Sequence, residues 1–238
     1  NVLNDNFTYY YLKRTDASRV YGLELEHMLS PYNLNFLVNQ STLIEEHIAG
    51  IPGDHFIKEF LPQCTDAEKA QIAKEYVKFN ERSMIRLLGD MRAYNYVVVP
   101  THDFDQVVYK IRPIDFDQQS FEGKLSVYRP QFFKENKALM DLVRTKLNHN
   151  SINQYKIEER SIVARRIISS GSRLQSLVRI MQSETLTLQE NLERLRQEIF
   201  KFTKDKAFKQ SESMGDIMQA SLRFVRLHYE KVDMHNLF

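Results

Sequence analysis

The chain has 238 residues, 42% of them apolar, enough for a sizeable core in one domain or in a two-lobed pair. Lys plus Arg number 33 against 31 Asp plus Glu, spread along the sequence, so bulk charge singles out neither nucleic acid nor membrane as a partner. The single cysteine, Cys64, excludes an internal disulfide and a thiolate metal site, and no apolar run approaches the roughly 20 residues of a membrane helix; a reducing cytoplasm is the expected setting. The chain opens on Asn1 with no basic and apolar signal pattern behind it, as a piece of a longer gene product would.

In chain order, Thr8 to Lys13 reads as a strand, with Tyr9, Tyr11 and Lys13 on one face and Tyr10 and Leu12 on the other. A short helix from about Ser18 to Leu29 carries Glu24 and Glu26 and stops before Pro31, which disfavours helical geometry in the preceding residue. Ser41 to Glu46 is extended, and Ala49-Gly50-Ile51-Pro52-Gly53 breaks the pattern as a linker. Thr65 with Glu68 forms a capping box, after which Ile72, Tyr76, Phe79 and Ser83 recur at helical spacing to about Arg86. Asn95 to Pro100 and Val107 to Ile111 are β-branched runs around the polar turn Thr101-His102-Asp103-Phe104-Asp105 and pair as a hairpin. That hairpin brings Asp90, just ahead of its first strand, towards Ile114-Asp115-Phe116-Asp117 after its second.

Such a grouping suits phosphoryl transfer from a nucleotide, which depends mainly on in-line positioning and on neutralising charge with magnesium. An aspartate orients the attacking hydroxyl, and an asparagine and a second aspartate supply hard oxygen ligands. The run Leu88-Gly89-Asp90-Met91-Arg92-Ala93-Tyr94-Asn95, the hairpin, and Ile114-Asp115-Phe116-Asp117 resemble the catalytic and metal motifs of protein-kinase-like phosphotransferases, in spacing those of aminoglycoside phosphotransferases and choline kinases. The resemblance implies an α+β, two-lobed kinase-like fold: an incomplete β-rich small lobe (1–48), a catalytic core (49–150) and a helical C-terminal subdomain (151–238). It further implies Asp90 as catalytic base, Asn95 and Asp115 as magnesium ligands, and Asp117 as a second metal contact. Leu43 to Gly50 then corresponds to the last small-lobe strand and hinge, where Glu46, His47 and Ile48 receive adenine. Lys13 becomes the strand lysine on the nucleotide phosphates, with Glu24 or Glu26 as its helix partner; only one can face it, since a two-residue offset turns about 200° around a helix. The cofactors implied are ATP and Mg2+, and the substrate is an unspecified hydroxyl.

The chain departs from that family in several places. Only 12 residues precede Lys13 and none is glycine, so no phosphate-covering loop stands before it. Leu88 occupies a position that is usually histidine, and no Ala-Pro-Glu follows Asp115, which argues against a conventional protein kinase. The bland alternatives are turn and cap roles for Asp90 and Asn95, an exposed strand face for Asp115 and Asp117, and a solvated edge for Lys13. The seven histidines show no zinc-ligand helix spacing, and no Gly-x-Ser-x-Gly elbow exists.

Beyond Glu122 the expectation is helical. Lys137 to Leu147 closes the core, and an apolar face from Val163 to Ile168 breaks near Ser169-Ser170-Gly171-Ser172 before Leu174, Leu177 and Met181 resume it. Thr187 and Glu190 suggest a second capping box ahead of Leu188, Leu192, Leu195, Ile199 and Phe202, a two-heptad seam better read as core than as coiled coil. Met214, Ile217, Met218, Ser221, Val225 and His228 outline a last amphipathic face. Two other functions stay open: an idle kinase-like or helical module that binds a protein partner through these C-terminal helices, and, third, nucleic-acid binding at Arg165-Arg166.

Overall fold

The computed structural model describes residues 8–103 and 106–231, with side chains 103 and 106 left aside. The chain is α+β, with two small antiparallel sheets and a preponderance of helix among the described residues. Strand β1 (Tyr10–Arg14) leads into helix α1 (Ala17–Leu29), which Asp16 starts by accepting the Arg19 amide and Ser30-Pro31 ends. β2 (Phe36–Asn39) and β3 (Thr42–Glu46) return as a hairpin, and the sheet runs in the order β1-β3-β2. Lys13 stands opposite Leu43, and Leu12 opposite Ile44. The sequence reading overlooked β2: its four residues, Phe-Leu-Val-Asn, are too few to display alternation.

The expected linker is more ordered than its Gly-Pro composition suggests. Ile51–Pro52 forms a two-residue strand, β4, whose partners on the long hairpin are Val98 and Val97. Gly53–His55 (α2) continues through a π turn, Phe56–Phe60, and a short 3-10 turn to Cys64. Helix α3 (Asp66–Ile85) begins at the Thr65 and Glu68 capping box, as expected. β5 (Tyr96–Asp103) and β6 (Gln106–Pro113) form the hairpin; Tyr96 pairs with Pro113, so its open end lies where the acidic residues are. It is longer than the sequence suggested: Thr101 to Asp103 are strand rather than turn, while Phe104 and Asp105 lie outside the described residues. Asn95 ends a 3-10 turn and does not begin the strand.

Helices α4 (Lys137–Lys146), α5 (His149–Ser183), α6 (Gln189–Thr203), α7 (Lys206–Lys209) and α8 (Met214–His228) follow among the described residues. The expected break at Ser169 to Ser172 is a local one: α5 continues across it, with Gly171 alone in non-helical geometry. No capping box forms at Thr187 and Glu190. The α6 N-cap is Leu188, and the Thr187 hydroxyl donates instead to the Phe121 carbonyl (2.6 Å). Of the proposed seam, Leu192, Leu195 and Ile199 are core residues, whereas Leu188 is 64% exposed.

Two large apolar clusters share α1. Its Leu23 belongs to the one built on α3, the long hairpin and α4, and Tyr21, Leu25, Met28 and Leu29 to the one that gathers the C-terminal helices. The charged side chains buried on α3 and at its C-cap are in ion pairs. Arg82 bridges Glu75 (2.8 Å) and Glu159 of α5 (3.1 Å), and Arg86 is bound to Glu26 of α1. A charge removed from water is tolerable only with such partners. Among the described residues no helix is long and apolar enough to cross a membrane.

Candidate functional site

The site is built on the loop that leaves α3 and on the segment that leaves β6. Leu88 is buried, so apolar packing replaces the side-chain hydrogen bond a histidine would make, and it forms an isolated antiparallel bridge with Gln119. Gly89 donates to the Gln118 carbonyl (3.0 Å), Asp90 to Val127 (3.1 Å), and Ser120 to Leu87 (2.9 Å). This ladder holds Leu87, Asp90 and Ser120 in the left-handed region, at φ of 52°, 55° and 53°. For side-chain-bearing residues that conformation costs about 1–2 kcal/mol each and persists only where surroundings enforce it.

The Asp90 carboxylate meets two partners. The Asn95 amide donates to the Asp90 carbonyl (2.7 Å) and to its Oδ2 (3.3 Å), and Arg92 Nε donates to Oδ1 (2.8 Å). Arg92 is fixed in turn by Glu135 (3.1 Å) and the face of Phe133; its hydrogen bond to Asp90 holds its pKa above the usual arginine value. The Asn95 carbonyl accepts the Ile114 amide (3.0 Å), so the two acidic ends are joined directly.

The segment after β6 rests on α1. Ser18 Oγ donates to the Gln119 carbonyl (2.7 Å) and to that of Asp117 (3.2 Å). One turn further on, Gly22 lies so near Phe116 that an added Cβ would come within 2.9 Å of the Phe116 Cβ. Between them, Arg19 sends its guanidinium to Asp115 (3.1 Å) and Asp117 from one nitrogen and to Glu45 (3.3 Å) from the other. Glu45 also receives Lys13 (3.0 Å). Burial favours the neutral form of Arg19, but the Asp117 hydrogen bond and the fields of Glu45, Asp117 and Asp115 outweigh it and raise its pKa. A continuous ionic chain, Lys13 to Glu45 to Arg19 to Asp115, therefore links the small sheet to the Ile-Asp-Phe-Asp segment.

The expected Lys13 partner is corrected by this arrangement. Glu24 pairs with Arg173 of α5 (2.7 Å), and Glu26 is buried against Arg86, so neither helix glutamate reaches the lysine. Arg19 and Glu45 were absent from the sequence reading. Alternation in β3 could have shown Glu45 sharing a face with Leu43, but nothing in the sequence reveals that Arg19 crosses to residues almost a hundred positions away. At the expected hinge, Glu46 accepts from Asn35 (2.6 Å), the His47 amide donates to the Tyr9 carbonyl (2.8 Å), the His47 ring meets the Tyr11 hydroxyl (2.9 Å), and Ile48 is core.

Among the described residues no three His, Cys, Asp or Glu side chains converge as a ready metal cage. Asn95 and Asp115 have the hard oxygen donors that magnesium takes, and its usual protein sites offer one or two carboxylates with the remainder from phosphate and water. Comparison with models of known families, with curated proteins and with solved structures returned no match.

Proposed function

We propose that the chain is a kinase-like phosphotransferase that uses ATP and magnesium to phosphorylate a hydroxyl of a small molecule or atypical substrate. The observation that carries this reading is the joining of Asp90, Asn95 and the Asp115 segment at the open end of one hairpin, with Asp90 forced into left-handed backbone beside Asn95. Strain held in place by a hydrogen-bond ladder is characteristic of working sites. In this reading Asp90 takes the position of the base that orients the acceptor hydroxyl, its carboxylate pointed by Arg92 and the Asn95 amide. Asn95 Oδ1 and Asp115 would hold magnesium, which would neutralise charge on the transferring phosphoryl group. Lys13, on β1 opposite Leu43 and paired with Glu45, would contact phosphate oxygens once Glu45 shares it.

A second reading is favoured by one specific feature: the Arg19 guanidinium already covers Asp115 and Asp117, as it would in an idle scaffold that needs no cation. Thermal unfolding with and without ATP and magnesium separates the two. Phosphotransferase function requires a magnesium-dependent rise, about 2.7 kcal/mol of stabilisation at a hundredfold excess over Kd, lost in Asp115→Ala and largely kept in Asp90→Ala. An idle scaffold gives no rise in the wild type at millimolar nucleotide. A rise seen only in Arg19→Gln identifies a site that the guanidinium keeps closed.

A further inference from the structure

A groove of about 650 Å³ between the second half of α5, α7 and α8 is unused by this chemistry. Ile167, Leu174, Val178 and Leu222 form its floor, and Ile168 stands at its edge, 68% exposed. Gly171, at φ 46° inside α5, opens onto it with nothing within 4 Å of where a Cβ would stand. Arg179, Arg223 and Arg226 also line it.

The charge there is unbalanced. Arg223 pairs with Asp205 (2.8 Å), whereas Arg179 and Arg226 have no carboxylate partner among the described residues. The one carboxylate lining the groove, Asp216, is occupied: it accepts the Glu212 and Ser213 amides (both 3.0 Å) and Gln182 Nε2 (2.7 Å). Two exposed guanidiniums thus flank an apolar floor with no ion-paired carboxylate among the described residues.

We propose that this groove docks an acidic amphipathic helix of a partner protein, whose apolar stripe covers Ile168 and the floor while its carboxylates meet Arg179 and Arg226. A helix fits better than a strand, because the walls are helices and no sheet edge is offered for strand addition. From Ile167 to Gln182 the wall spans sixteen residues, about 22 Å at helical rise, or roughly four turns of a ligand helix. Single-stranded nucleic acid fits less well, since among the described residues no aromatic side chain lines the groove for bases to stack on. The inference does not depend on whether Asp90 turns over.

The test is fluorescence anisotropy with a labelled amphipathic peptide of about 16 residues, Leu at helical spacing on one face and Glu on its flanks. A twin with Lys for Glu and a single-stranded oligonucleotide of matching charge serve as comparisons. The acidic peptide is expected to bind with a Kd below about 100 μM and to weaken severalfold at high salt. It should weaken roughly tenfold or more in Arg179→Glu/Arg226→Glu and in Ile168→Asp, with thermal unfolding unchanged because all three side chains are exposed. Absence of binding at that concentration, equal binding of the Lys twin, preference for the oligonucleotide, or indifference to the substitutions would each overturn the proposal.

Discussion

Replacing Glu26 by Gln tests how α1 is held, and with it the reassignment of the helix glutamates. The carboxylate is 2% exposed and its partner Arg86 1% exposed, so the substitution leaves a guanidinium in the core answered only by the field of Glu159, which is already bound to Arg82. Arg86 would retain the bond from its Nε to the Arg82 carbonyl (3.1 Å), while its Nη2 already lacks a hydrogen-bond partner. Breaking a buried pair from one side costs about 3–5 kcal/mol. For a chain of this size each kcal/mol moves the Tm by about 2–4 °C, so a fall of about 6 to 20 °C is expected. Urea unfolding should show a lower midpoint at unchanged m-value. Glu24→Gln, whose partner Arg173 is 56% exposed, should cost at most about 1 kcal/mol. Replacing both members of the buried pair, as Glu26→Leu/Arg86→Met, should recover much of the loss, because well-packed apolar side chains carry no desolvation penalty. The reasoning fails if Glu26→Gln stays within about 1 kcal/mol of wild type or costs less than Glu24→Gln. Magnesium-nucleotide affinity lost at unchanged stability would instead return Glu26 to the site.

The capping box of α3 gives a pH dependence. Hydrogen bonds from the Thr65 amide, then its hydroxyl, then Tyr109 hold Glu68 below the usual carboxylate value of 4.5. A group depressed on folding stabilises fully above its unfolded pKa and loses that contribution as pH falls through the folded value. The Tm gap between wild type and Glu68→Ala should therefore be widest near neutrality and close in acid; a gap constant across that range would contradict it. At Gly171 a side chain meets no steric obstacle but an unfavourable φ of 46°, so Gly171→Ala should cost about 1–3 kcal/mol in urea unfolding, where a substitution in a regular helix would have stabilised.

Much of the local structure was legible because its causes are local. The Thr65 and Glu68 box, the Pro31 stop and the β-branched runs of the hairpin each depend on neighbours within a few residues, and each stands where those neighbours place it. The approach of the loop holding Asp90 and Asn95 to the segment after β6 followed from the hairpin, since antiparallel pairing of Tyr96 with Pro113 leaves little freedom at its open end and the Asn95 carbonyl accepts the Ile114 amide there. Thr187 and Glu190 show the limit of the same reasoning: a carbonyl from Phe121 competes for the hydroxyl, and the local motif gives way.

Charge partners were not legible. Lys13, Glu24 and Glu26 offered a choice of two pairings along one strand and one helix, and neither forms, because Arg86, Arg173 and Glu45 arrive from other elements. The same holds for Arg19, whose carboxylates come from β3 and from beyond β6. An ion pair is chosen by which opposite charge folding carries within reach in a dry environment, and periodicity records only which face a residue occupies. Elements, their ends and the acidic hairpin therefore belong to short-range chemistry, whereas the ionic chain across the site and the arginine-flanked groove exist only once distant helices and strands have packed together.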